Sequence, residues 1–241
     1  MDDFDTQDRD FTVIAPHPKP TGTRPLLGLT VLVVEDSRYA SEALRQMCLR
    51  SGARIRRADC VASAQRHLNV YRPSVAIVDL GLPDGSGLDL IRQMHAAKPR
   101  VPILLGTSGA EREAAAEACR AAGTDGFLPK PIPSLAAFQA SILEHLPEAL
   151  RPKGPRTAEV TDVAPDPIAL REDLAHAMEL LRLESPPLGY LSRFLVGLAR
   201  AARDTTLEHS AREIDGGSEG RELAALRTLI SDRIDALPVP I

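Results

Sequence analysis

Between Leu29 and Leu146 the chain alternates short unbroken apolar runs with longer stretches whose apolar positions recur every three or four residues. Thr30-Val31-Leu32-Val33-Val34, Val75-Ala76-Ile77-Val78 and Val101-Pro102-Ile103-Leu104-Leu105 read as strands covered on both faces, as in a parallel sheet. Ala53 to Ala58, with Ile55 among arginines, suits a short edge strand, and Gly126-Phe127-Leu128-Pro129 a last one. Between them, helical spacing links Ala40, Leu44, Met47 and Cys48, closed by Ser51-Gly52. Further helices are predicted over Val61 to Tyr71, around Leu88, Leu90, Ile91 and Met94, over Glu111 to Ala122, and through Leu135, Phe138, Ile142 and Leu146. Five strand-helix alternations predict an α/β domain built on a five-stranded, parallel, doubly wound sheet. Right-handed crossovers would bring every strand end to one edge.

The pattern changes on both sides of this segment. Residues 1–25 combine acidic residues with Pro16, Pro18, Pro20 and Gly22, the composition of a disordered tail. Residues 26–148 hold the α/β domain, and the Pro-rich stretch 149–167 reads as a linker. Over 168–241 no strand pattern competes with helical spacing, which predicts a small all-α domain. Leu170, Leu174, Met178 and Leu181 fit one helix; Leu191, Leu195 and Leu198 fit another that continues through Leu207, Ala211 and Ile214. Leu223, Leu226, Ile230, Ile234 and Leu237 fit the last, whose 3-4-4-3 spacing suits either core packing or a homodimer seam. Such stripes must be buried within the bundle, against the first domain, or across a dimer.

Composition narrows the function classes. Aromatic residues are only 3% of the 241, with no Trp, and the net charge is −4, so neither base stacking nor attraction to nucleic acid or anionic lipid is indicated. Cys48, Cys60 and Cys119 are far apart and form no metal-binding or disulfide pattern, as expected for reduced thiols in a cytoplasm. The acidic, polar start lacks the features of a signal peptide, and no apolar run is long enough to span a bilayer.

Candidate chemistry lies at the strand ends. Glu35-Asp36 follow the first strand, Asp79 ends the third, Thr107 the fourth, and Lys130 the fifth. In open α/β sheets ligands gather at that edge. Carboxylates brought together repel one another unless a cation neutralises them, and hard oxygen donors without Cys or His select Mg²⁺ or a similar ion. Phosphoryl transfer fits this equipment: Asp79 as nucleophile, the ion and Lys130 as countercharge, Thr107 as hydrogen-bond donor. Each group also has a structural reading, Glu35-Asp36 and Thr107 as helix caps and Lys130 as a solvated charge.

As a set, these motifs resemble the receiver domain of two-component response regulators. The resemblance covers roughly residues 28–148: the double acid, the D-x-x-L-P-D-x-x-G segment from Asp79 to Gly87, Pro102 in the strand leading to Thr107, and Lys130-Pro131. It implies a flavodoxin-like fold, with Asp79 phosphorylated by a sensor histidine kinase or a phosphotransfer protein. It further implies Mg²⁺ held by Asp36 and Asp79 with help from Glu35 and the Gly81 carbonyl, a cis Lys130-Pro131 bond, and a switch coupling Thr107 to Phe127. In the family that switch is transmitted to the face formed by the fourth helix, fifth strand and fifth helix. Gly106, where an aliphatic residue is usual, and Ser108, where Ala is usual, depart from the pattern. Such a protein assists its own phosphorylation and dephosphorylation and turns over no external substrate. A haloacid-dehalogenase-type phosphatase would need a second Asp where Gly81 stands.

No resemblance extends to the helical domain. Acidic residues outnumber basic ones after Pro167 and no helix-turn-helix pattern is present, which argues against a DNA-binding output. His176 and His209 lack the Lys-Gly pattern that follows a phosphotransfer histidine. The favoured expectation is an output that binds an unknown protein partner or another copy of itself. A transcriptional regulator and a phosphate-independent pseudo-receiver are the alternatives.

Overall fold

The structure, a computed structural model, describes residues 19–109, 111–153, 166–214 and 220–239. The expectations for residues 1–18 and for most of the linker, 154–165, lie outside the described residues. In chain order the first part runs β1 (Thr30–Val34), α1 (Arg38–Arg50), β2 (Arg54–Ala58), α2 (Val61–Val70) and β3 (Val75–Asp79). It continues through the hairpin β4 (Gly81–Leu82) and β5 (Gly85–Ser86), then α3 (Gly87–Ala96), β6 (Ile103–Ser108), α4 (Arg112–Ala122), β7 (Gly126–Pro129) and α5 (Leu135–Leu143). The main sheet is parallel in the order β2-β1-β3-β6-β7, the doubly wound, flavodoxin-like topology.

Side chains alternate between faces along each strand, which sorts the apolar runs into two layers. Val31, Val33, Val75, Ile77, Ile103 and Leu105 pack with α1 and α5. Leu32, Val34, Ala76, Val78 and Leu104 pack with α2, α3 and α4. Leu26 is fully buried in the first layer and donates its N–H to Ser51 O at 2.9 Å. Among the described residues two X-Pro bonds are cis: Lys130-Pro131, as expected, and Lys98-Pro99, which was not expected.

After a short 3-10 turn at Glu148–Leu150 come α6 (Pro167–Leu181), α7 (Leu188–Ala202), α8 (Thr205–Glu213) and α9 (Gly220–Asp235). The expected continuation of one helix from Leu191 through Ile214 is corrected here. Arg203 turns into the left-handed region (φ 59°), and the Asp204 carboxylate accepts the Leu207 N–H at 3.0 Å, starting a new helix. Arg233 on α9 holds the other oxygen of Asp204 at 2.6 Å, so the break is pinned from across the bundle. Leu174, Leu181, Leu191, Leu195, Leu207, Leu226 and Ile230 share one core, and the α9 stripe lies against it, so core packing accounts for its spacing. That core also takes in Tyr39 of α1, and α6 and α7 pack on the receiver-like part. Among the described residues, no helix is long and apolar enough to cross a membrane.

Candidate phosphoacceptor site

The register places Asp79 beside Thr107, and Ser108 beside Pro129, so Lys130 emerges at the same edge. Glu35 and Asp36 leave β1 next to them; one carboxylate oxygen from each of Glu35, Asp36 and Asp79 lies within 4.8 Å of the others. Lys130 Nζ donates to Asp79 Oδ1 at 2.8 Å. It also forms an ion pair with Glu35 Oε2 at 2.6 Å. The Gly81 N–H donates to Asp79 Oδ2 at 3.0 Å. The Thr107 hydroxyl points the other way, donating to Leu128 O at 2.8 Å. Phe127 is half-buried at the position paired with Gly106.

Several motif residues act sterically. A Cβ on Gly87 would lie 1.9 Å from the Asp79 carbonyl oxygen, so only glycine lets α3 begin against the end of β3. Asp84 does not join the acidic cluster; it caps α2 through the Val61 and Ala62 N–H groups at 2.7 and 2.9 Å. The departure at Gly106 has a partner: a Cβ there would lie 2.2 Å from Cys119 Sγ, so the α4 cysteine takes the space an aliphatic side chain would use.

Within the cluster itself, three carboxylates face one ammonium. Burial, with the neighbouring carboxylates adding to it, pushes Glu35 up to about 8. Burial and Asp79 push Asp36 up to about 6. Lys130 is held above its ordinary value because attraction to Asp79 and Glu35 outweighs the burial that opposes it. An oxygen-only donor set with excess negative charge fits a divalent hard cation such as Mg²⁺.

Three residues outside the expected set belong to this surface. Tyr190 on α7 donates its hydroxyl to Asp36 Oδ2 at 2.7 Å. Asp173 on α6, buried, caps α1 in trans: Oδ2 accepts from Ser37 Oγ (2.7 Å) and Tyr39 N (3.0 Å), and Oδ1 from Arg38 N (2.9 Å). Arg193, one turn beyond Tyr190, lines the same cavity of about 510 Å³ as Glu35, Asp36, Asp79 and Lys130. Nothing in the local sequence separates these three from ordinary helix-surface residues. His176 is exposed and sits edge-on to Phe194, and His209 is exposed and beside Glu213 at 3.2 Å.

Fold and strand-end acids together define residues 31–142 as a response regulator receiver domain, and those residues match that family's model. The chain is 28% identical over 156 residues to the virulence transcriptional regulatory protein PhoP of Salmonella typhi, covering 64% of this chain and 67% of that one. It is 36% identical over 103 residues to the transcriptional regulatory protein PhoP of Escherichia coli K12, covering 43% and 46%. A putative response regulator of Chloroflexus aurantiacus has a similar solved structure, at 22% identity and TM-score 0.46, over 48% of this chain and 96% of that one.

Proposed function

We propose that the protein is a two-component response regulator whose Asp79 accepts a phosphoryl group from a histidine kinase or phosphotransfer protein. The supporting observation is the pairing of Asp79 with Lys130 at 2.8 Å inside a cluster of three carboxylates. An Asp79 carboxylate oxygen attacks phosphorus; the O–P bond forms as the N–P bond to the donor imidazole breaks, and the electron pair leaves with the imidazole nitrogen. Mg²⁺, held by Asp36 and Asp79 with Glu35 and the Gly81 carbonyl, would supply positive charge to the transferring oxygens. Lys130 supplies the fixed positive charge and orients Asp79. Thr107 reaches the phosphoryl group only by leaving Leu128 O, and this rotation is the step proposed to engage Phe127. The output is proposed to be protein–protein interaction by the helical domain.

A transcriptional output is the second reading, favoured by the names of the PhoP relatives, whose longer match exceeds the receiver segment in length. Direct DNA binding would require a basic face, whereas acidic residues predominate in the helical domain. Incubation with Mg²⁺ and acetyl phosphate, followed by intact mass, is expected to add one phosphoryl group to wild type and none to Asp79→Asn. Equal incorporation in both proteins would exclude Asp79 as the acceptor.

A further inference from the structure

We propose that Arg193 is a phosphoryl-binding residue that the helical domain contributes to the receiver's site. This inference rests on the phosphoacceptor reading of Asp79 and adds to it a direct route from the site to the output domain.

The placement of α7 is held at three points. Tyr190 is hydrogen-bonded to Asp36, and Asp173 of the neighbouring α6 caps α1 with three hydrogen bonds. At the far end, Gly109 in the loop after β6 meets Gly197 of α7 so closely that a Cβ on Gly109 would lie 2.8 Å from Gly197 Cα. Tyr190, Arg193 and Gly197 fall at helical spacing along one face of α7, and that face looks onto the acids. Arg193 is therefore fixed in position at its backbone while its side chain remains exposed at the cavity.

The guanidinium lies close to where a phosphoryl group would form. The Cβ position of Gly81 is 3.5 Å from Asp79 Oδ2 and 4.0 Å from Arg193 Nε, so the carboxylate and the guanidinium border the same space beside Gly81. The other cations of the cavity wall are committed. Lys130 holds Asp79 and Glu35, Arg200 pairs with Glu208 at 2.8 Å, and Arg212 pairs with the same Glu208 oxygen at 2.5 Å. Arg193 makes no hydrogen bond or ion pair with any described residue. An acyl phosphate brings additional negative charge and three acceptor oxygens, and a guanidinium offers the planar donor pair that matches two of them.

Coupling of this kind is reciprocal: whatever Arg193 adds to phosphoryl affinity it adds equally to the docking of the helical domain. Phosphorylation would then tighten α7 onto the receiver, and the helical domain would read the phosphoryl group at its source.

The test uses the full chain with Mg²⁺ and beryllium trifluoride, a non-covalent phosphoryl mimic, in calorimetric titrations of wild type, Arg193→Gln and Arg193→Lys. Mimic affinity is expected to drop about tenfold in R193Q and to recover in part in R193K, in keeping with one charge-assisted contact. Affinity for Mg²⁺ alone should be no weaker in R193Q, which separates lost phosphoryl contact from a damaged site. Hydrogen exchange in α7 should slow on mimic binding in wild type and respond less in R193Q. Unchanged mimic affinity in R193Q, or faster α7 exchange in wild type on binding, overturns the proposal, the latter by making α7 a lid that leaves. Wild type that binds Mg²⁺ but takes neither the mimic nor phosphate from acetyl phosphate overturns the phosphoacceptor reading, and this inference with it.

Discussion

Glu35 and Asp36 illustrate how much a neighbourhood changes a residue. Both are ordinary acids in the unfolded chain, but in the pocket burial pushes them up to about 8 and about 6. The folded state therefore keeps protons that the unfolded state has released over roughly pH 4 to 8. Stability of the metal-free protein should fall as pH rises through that window. Asp36→Asn removes one of the two contributions while keeping an acceptor for Tyr190. With a chelator present, the variant is expected to exceed wild type by about 1–3 kcal/mol at pH 8 and to match it near pH 4. Denaturant melts at the two pH values provide the check; an advantage that does not change with pH would remove ionisation of the buried Asp36 carboxyl as its cause. Saturating Mg²⁺ should reverse the order at pH 8, since wild type alone then has its full ligand set.

At the scale of elements, the receiver's departure from its family pattern is a packing exchange between β6 and α4. Gly106 gives up a side chain, and Cys119, almost fully buried, fills the room; burial raises the thiol to about 11, so it stays neutral. Gly106→Ala should cost about 1–3 kcal/mol through overpacking. Combined with Cys119→Ala, which vacates the same space, it should cost clearly less than the sum of the single changes. A double-mutant cycle on chemical denaturation measures the coupling, and strict additivity would show that the two positions do not compete for one volume.

At the scale of the whole molecule, the helical domain is anchored on the receiver by a buried carboxylate. Asp173 is 2% exposed and burial raises its carboxyl, yet Ser37, Arg38 and Tyr39 together give it three donors. Tyr39 carries the anchoring further by packing in the helical core. Asp173→Ala leaves those donors without their acceptor and should cost about 2–3 kcal/mol. Wild type is expected to melt in one transition, and Asp173→Ala in two, as the helical bundle comes free of the receiver. Calorimetry distinguishes the cases, and a single unshifted transition in the variant would mean that the apolar contacts alone hold the two parts together.

The receiver was legible because its determinants are local and repeated. Apolar runs at β1, β3 and β6, separated by helical periods, leave few ways to bury every face, and the doubly wound order then sets Glu35, Asp36, Asp79, Thr107 and Lys130 on one edge. The helical segments were also legible, except that Asp204 reads as one more polar helix position until its cap to Leu207 and its pairing with Arg233 are seen. What tertiary structure alone decided is where the helical domain sits. Asp173, Tyr190 and Arg193 lie more than a hundred residues from the receiver groups they approach, on helices whose local pattern carries no trace of the receiver. Periodicity encodes which face of a helix is apolar, but which surface that helix meets depends on the complementarity of two finished folds. Only their docking brings a tyrosine and an arginine on a helix surface up to the strand-end acids.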